Sequence, residues 1–336
     1  MNKVLVNLPK GMITDKKLKE IFNQLEESYK VEYTSYASQE EFEKNMSEVS
    51  GIVMWTFPEF DKNFFESHKE LKIVAKLNSS KATVEAAIGT GVQVTDYRHL
   101  WSPTVSELAM TFTLTGLRKV SQLHMDMREG KEYWVSNIST DMPAEHKSLF
   151  SAKLAIIGYG KIGQLYRKML KPFNCEVHAY DPYLPENIFE EQGISKLEKV
   201  TDLDESYDVI VCCAANTTET YKLMSKEVIE SLASDVIFIN VGRSHLLDNE
   251  ALYERLLRGE MYAYLDVFEV EPLPLESKWR GLKNAYLSPH VAGTFWALTT
   301  IFDAILEDLK TVMIENKLSK YATDETALNS LRDYKD

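Results

Sequence analysis

The sequence predicts an α/β protein built from two parallel-sheet domains, and three observations lead there. Its 336 residues exceed what a single core usually holds. Short apolar runs alternate with amphipathic stretches of helical period along most of the chain. One of those runs, residues 154–157, opens directly into a glycine-rich turn followed by a helical pattern.

Taken in order, residues 4–8, 51–55, 73–75 and 93–95 read as buried strands, and Leu18, Ile21, Phe22 and Leu25 mark a helix within 16–29. Ser102 as N-cap and Pro103 at the first helical position open a long apolar helix that runs to about residue 127. Residues 128–151 turn polar and read as a connecting loop. A second series follows, with strands at 154–157, 176–180, 209–213, 236–240, 263–267 and 285–288. Another long helix is expected over 293–316, and the polar tail from 319 to 336 is expected to be poorly ordered. Strands separated by helices call for parallel sheets covered on both faces.

Composition narrows the function. Apolar residues make up 44% and charged residues 26%, as in a soluble globular protein. A net charge of −13 repels nucleic acid phosphates and anionic membranes, so neither is an expected partner, and an anionic substrate needs a local positive pocket. The three cysteines, Cys175, Cys212 and Cys213, form no metal-binding spacing, and no metal site is expected. No signal-like segment and no apolar stretch of roughly 20 residues appears, which points to the cytoplasm.

The glycine-rich turn is G-x-G-x-x-G in the context it requires. Gly158 permits the tight turn, Gly160 lets the backbone approach a pyrophosphate, and Gly163 lets the helix lie close to the strand. The helix opening at Lys161 and Ile162 offers unpaired N–H groups and a partial positive charge to phosphates. Asp181 ends the next strand at about the spacing of a ribose contact. A carboxylate there accepts from the ribose diol and repels a 2′-phosphate, so NAD is the expected cofactor.

Further along, Asn240-Val241-Gly242-Arg243-Ser244, the run Leu265-Asp266-Val267-Phe268-Glu269-Val270-Glu271-Pro272, and Ser288-Pro289-His290-Val291-Ala292-Gly293 occur in that order. With Thr104-Val105-Ser106-Glu107-Leu108, they make residues 100–316 resemble the D-2-hydroxyacid dehydrogenase family. The resemblance implies a Rossmann NAD-binding domain (102–291) inserted into a flavodoxin-like substrate domain (1–101 with 292–336), with the active site in a cleft between them. It also implies a homodimer formed through the NAD domain.

In that family setting Arg243, Glu271 and His290 are the reacting trio. Arg243 holds the carboxylate and carbonyl of a 2-keto acid through its planar fork. His290 gives or takes the proton as general acid or base, and Glu271 pairs with it, fixing its tautomer and favouring the imidazolium. Thr104, Cys213, Ala214, Val241, Gly242 and Gly293 fall where the family lines its cofactor site. Cys213 reads there as a small packing residue rather than a nucleophile. Asp266 is placed near the nicotinamide carboxamide, and His245 reads as a surface or capping residue.

The substrate loop departs from the family pattern. Residues 75–83 lack its glycines and acids, leaving the backbones of Asn78 and Ser79 as candidate donors to the substrate carboxylate and Lys76 or Lys81 as candidate positive charges. Trp55, Trp101 and Trp296 are candidates to size a pocket or to fill a core. The expected activity is NAD-dependent reduction of a 2-keto acid to a D-2-hydroxy acid. Two alternatives share the scaffold: a phosphite-type dehydrogenase, for which Lys76 is the relevant residue, and a non-catalytic NAD(H)-sensing protein.

Overall fold

The computed structural model describes residues 2–131, 147–323 and 325–328. Most of the expected connecting loop (132–146) and the end of the tail (329–336) lie outside the described residues. In chain order the elements are β1 (Lys3–Asn7), α1 (Lys16–Phe22), β2 (Lys30–Thr34), α2 (Gln39–Glu43), β3 (Val49–Met54), α3 (Lys62–Ser67), β4 (Ile73–Lys76), α4 (Lys81–Ala87) and β5 (Gln93–Asp96). Then come α5 (Ser102–Leu117), α6 (Val120–Arg128), β6 (Lys153–Ile157), α7 (Lys161–Leu170), β7 (Glu176–Tyr180), α8 (Glu186–Glu191), β8 (Ser195–Lys196) and β9 (Val209–Cys212). The chain continues through α9 (Lys226–Ser231), β10 (Ile237–Asn240), α10 (Asn249–Leu257), β11 (Tyr262–Leu265), β12 (Ala285–Leu287), α11 (Phe295–Met313) and α12 (Glu325–Leu328).

These elements divide into two compact units, residues 1–101 with 294–336 and residues 102–293. The first holds a five-stranded parallel sheet in the order β2-β1-β3-β4-β5, the flavodoxin-like winding. Every residue of β3 and β4 is buried, because helices cover both faces. One face packs on Phe22, Ile301, Ile305 and Leu309 and the other on Phe42, Phe60, Phe64 and Leu71. Each such side chain contributes roughly 1.5–3 kcal/mol on burial.

The second unit holds a seven-stranded parallel sheet, β12-β11-β10-β9-β6-β7-β8. Strand order reverses between β6 and β9, which is the Rossmann switch point. β9 and β10 are buried throughout. Among the described residues no helix is long and apolar enough to cross a membrane.

Several local expectations are corrected. The helix expected to run from 102 to 127 is two helices, broken at Lys119, which takes a left-handed φ of 51°. Lys119 is nevertheless buried, its ammonium 3.1 Å from the centre of the Tyr262 ring, so a tertiary contact holds the break. Ser102 is the first helical residue rather than the cap, because a short 3-10 turn (Arg98–Trp101) leads straight into α5.

The tail is not loose where it begins. Ser319 is buried and gives its hydroxyl to Asp308 at 2.6 Å, while Tyr97 gives its own to the same oxygen at 2.7 Å. Thr323 donates to the Val94 carbonyl through both its backbone N–H and its hydroxyl. Three of these hydrogen bonds, at about 1 kcal/mol each, tie the segment itself down.

Candidate active site

Six strand ends of the second unit carry the residues in question, and all belong to the carboxyl edge of one parallel sheet. β6 leads into Gly158 at φ 93°, and a Cβ there would lie 2.4 Å from the Ala214 Cα. The turn after β9 therefore presses on the glycine turn, and the Cys213 thiol donates to the Gly158 carbonyl at 3.0 Å. Burial pushes the Cys213 thiol up to about 12, with Asp181 adding to the effect, so it is an inert packing group. A Cβ on Gly163 would lie 2.6 Å from the Gly158 oxygen, which fixes how closely α7 approaches β6.

Gly160 differs from both. It is exposed, and a Cβ there would meet nothing within 4 Å. The space beside it is open, and it caps a ten-residue helix whose first amides, at Lys161, Ile162 and Gly163, have no intrahelical acceptor. That is the cradle a pyrophosphate needs. Asp181 accepts the Tyr159 N–H at 3.0 Å through one oxygen and the Tyr183 N–H at 3.1 Å through the other. Two backbone bonds aim the carboxylate while leaving lone pairs for a ribose diol. Thr104, buried in the first turn of α5, sits two residues before Ser106, whose hydroxyl reaches the Ile162 carbonyl at 3.1 Å. These residues fit a dinucleotide.

Asn240 ends β10 fully buried. Its Oδ1 accepts the Gly242 N–H at 3.0 Å and its Nδ2 donates to the Arg243 carbonyl at 3.0 Å. The side chain thereby sets the turn from which Arg243 extends. A Cβ on Gly242 would come within 3.0 Å of the Ala214 oxygen, so this turn too abuts the one after β9, and Val241 donates to the Cys212 carbonyl. Arg243 is exposed, and its guanidinium donates to its own Gly242 carbonyl at 2.8 Å. Among the described residues it has no ion pair, so it is available to an anion.

Glu271 and His290 meet: Nδ1 of the histidine lies 2.6 Å from Oε2 of the glutamate. The other glutamate oxygen accepts the Phe268 N–H at 2.9 Å. A carboxylate only accepts, so Nδ1 carries a hydrogen and Nε2 is left as the exchanging nitrogen. The imidazole is 41% exposed, which leaves Nε2 open to a reactant. Arg243 makes no hydrogen bond to either group; the shared sheet edge, with β10, β11 and β12 side by side, is what groups the three.

Four of the candidate residues are engaged by specific bonds. Asp266 is fully buried and spends its carboxylate on the His290 segment, accepting from the Ser288 hydroxyl, the Val291 N–H and the Ala292 N–H, the last two at 3.0 Å. It clamps that turn, just before Gly293. Ser79 is likewise buried, with its N–H on Asp96, its hydroxyl on the Thr95 carbonyl and its carbonyl on Arg98, so its donors are spent inside the first unit. Asn78 is half-buried and unconstrained by any side-chain hydrogen bond.

Lys76 is the third. It is fully buried, paired with Glu59 at 3.1 Å and bonded to Thr83 at 3.0 Å. Its ammonium is thus paired inside the first unit and is not a free positive charge. Lys81 pairs with Glu85 along its own helix. The fourth is His245, which is half-buried against Thr220 rather than a surface or capping residue. Trp55 and Trp101 stack obliquely on each other at 6.3 Å beside the first unit's core, whereas Trp296 is exposed. Sequence reasoning overlooked Asn240 although it opens the arginine motif, and overlooked Thr220, which no motif marks.

Residues 110–292 match the model of the D-isomer specific 2-hydroxyacid dehydrogenase NAD binding domain. The chain is 30% identical over 282 residues to a hydroxypyruvate reductase of Thermotoga maritima, covering 82% of this chain and 89% of that one. It is 27% identical over 333 residues to a D-3-phosphoglycerate dehydrogenase of Methanocaldococcus jannaschii; the match covers 97% of this chain and only 62% of that longer relative. Among solved structures, an NADPH-dependent glyoxylate/hydroxypyruvate reductase from Sinorhizobium meliloti in complex with citrate superposes with a TM-score of 0.76 at 22% identity, covering 100% of both chains.

Proposed function

Because the chain belongs to the D-isomer specific 2-hydroxyacid dehydrogenase family, we propose that it reduces a small 2-keto acid to the D-2-hydroxy acid at the expense of NADH. The observation that carries the reading is the 2.6 Å Glu271–His290 pair on the same sheet edge as an exposed, unpaired Arg243. When bound, the nicotinamide supplies the hydride. Arg243 binds the substrate carboxylate and polarises its carbonyl. His290 delivers a proton from Nε2 to the carbonyl oxygen, and Glu271 holds the ring for that transfer. The names of the relatives point to hydroxypyruvate and glyoxylate as the first substrates to try.

Asp181 favours NADH over NADPH. A 2′-phosphate beside that carboxylate costs about 1–4 kcal/mol of like-charge repulsion, so kcat/KM should favour NADH by roughly 5- to 1,000-fold. The test is oxidation of NADH and of NADPH against glyoxylate, hydroxypyruvate, pyruvate and branched 2-keto acids. Turnover with NADH on at least one of them supports the reading. Tight NADH binding with no turnover on any would favour a sensing role, and a preference for NADPH would remove the role given to Asp181.

A second copy of this chain is the partner we propose, through α5 and α6. Val120, Met125 and Met127 are each more than half exposed there, next to a groove lined by Phe112, Tyr264 and Tyr286. The three cysteines are free and buried, which suits work in the reducing cytoplasm.

A further inference from the structure

Arg243 is fixed from its upstream side by Asn240, and the segment downstream of it is fixed by a different set of bonds. The His245 carbonyl accepts the Lys222 N–H at 2.8 Å, and the Leu246 carbonyl accepts the Met224 N–H at 2.9 Å. Residues 243–247 thus lie alongside 220–224 as a short strand-like pairing, with a parallel bridge between Met224 and Leu247. Two side-chain contacts add to this pairing: Lys222 Nζ reaches Asp248 Oδ2 at 3.1 Å, and Nε2 of His245 lies 3.3 Å from Oγ1 of Thr220.

The Thr220 hydroxyl is a junction. It donates to the Ala215 carbonyl at 2.7 Å and accepts the Thr217 N–H at 2.9 Å. With its one proton on Ala215, the Thr220 hydroxyl can only accept from its other neighbours, and its remaining lone pair is shared by Nε2 of His245 and the Thr217 hydroxyl, each 3.3 Å away. Nε2 of His245 must therefore be the donor. Burial, reinforced by the neighbouring Arg243 charge, lowers the affinity of this imidazole for a second proton, which agrees with a neutral Nε2–H tautomer.

The loop that Thr220 organises is the one after β9. Its Ala214 backbone presses on the glycine turn at Gly158 and also on Gly242, the residue before Arg243. A chain of contacts consequently runs from the glycine turn through Ala214, Ala215 and Thr220 to His245, two residues beyond the guanidinium.

We propose that His245 is a positioning residue that locks the 214–220 loop to the Arg243 turn, so that filling the dinucleotide crevice and orienting the guanidinium occur together. This rests on the role proposed above for Arg243. His245 touches neither reactant; it acts through Thr220 on one side and through two residues of backbone on the other. Its loss leaves the NADH cradle intact, since Gly158, Gly160 and Asp181 are held by bonds of their own.

The test compares His245→Ala, His245→Gln and Thr220→Val with the wild type. Loss of one half-buried hydrogen bond of this kind translates into about a tenfold change at most. His245→Ala and Thr220→Val should each raise KM for the keto acid about tenfold, with Kd for NADH within about threefold of wild type. His245→Gln, whose amide N–H reaches the former Nε2 position, should recover most of that loss. Unchanged KM in both His245→Ala and Thr220→Val, or equal loss in His245→Ala and His245→Gln, would overturn the proposal. Hydrogen exchange gives a readout independent of turnover. Adding NADH should slow exchange over residues 243–248 in the wild type and not in His245→Ala. That result in a wild type without keto-acid turnover would sink the reductase reading while the linkage stood. No response in the wild type, or the same response in His245→Ala, would overturn the linkage itself.

Discussion

Replacing His290 with asparagine is expected to lower kcat for keto-acid reduction by about 10²- to 10⁴-fold while leaving NADH affinity within about twofold of wild type. The asparagine amide still offers a donor toward Glu271, the partner of Nδ1 at 2.6 Å. It has no proton to release at neutral pH, so only the transfer step is lost. The clamp on the segment is untouched, because Asp266 holds it through Ser288 and the Val291 and Ala292 amides. Steady-state kinetics with an NADH titration by fluorescence separate the two quantities. An active His290→Asn enzyme would remove the histidine from the chemistry.

The second large effect belongs to the glycine turn. Gly158→Ala places a Cβ 2.4 Å from the Ala214 Cα and 2.5 Å from its nitrogen, in a backbone conformation that L side chains rarely adopt. Left-handed backbone costs about 1–3 kcal/mol and overpacking another 1–3. Together these should lower Tm by on the order of 10 °C. The turn itself must shift, so NADH affinity should fall about tenfold or more. Gly193→Ala is the control: it has φ 62° with nothing within 4 Å of the added carbon, and lies away from the cradle. It should cost only about 1 kcal/mol and keep NADH affinity. Calorimetry and NADH titration of the two variants check this; equal behaviour would mean that Gly158 serves only its φ.

The parts of this molecule that could be read from sequence are those written in local pattern. Buried parallel strands appear as short apolar runs, which is why β3, β4, β9 and β10 were evident, whereas β2, Lys-Val-Glu-Tyr-Thr at a sheet edge, carries no such run and was missed. The phosphate turn was legible because each glycine answers to a steric demand. Apart from the start of α5, the features that were misread depend on partners outside their own segment. Tyr97 and Asp308 are 211 residues apart, and together with Ser319 they order a tail that looks merely polar. Lys76 reads as a free cation until Glu59 is seen beside it. The three donors from 288–292 that Asp266 holds lie more than 20 residues from it and leave no mark in its own segment. The motifs of Arg243, Glu271 and His290 stand in the sequence, but only the fold shows Asn240 bonded to the turn of Arg243 and Asp266 to the segment of His290.

The most direct test follows the hydride. NADH with both hydrogens at C4 of the nicotinamide replaced by deuterium is incubated with wild-type protein and the best keto acid of the panel other than glyoxylate, whose product is achiral, and the product is analysed for label and configuration. The expected product is a D-2-hydroxy acid with deuterium on C2, formed at a rate that His290→Asn lowers by about a hundredfold or more. An L-product, a product without deuterium at C2, or NADH that binds and is never oxidised would contradict it.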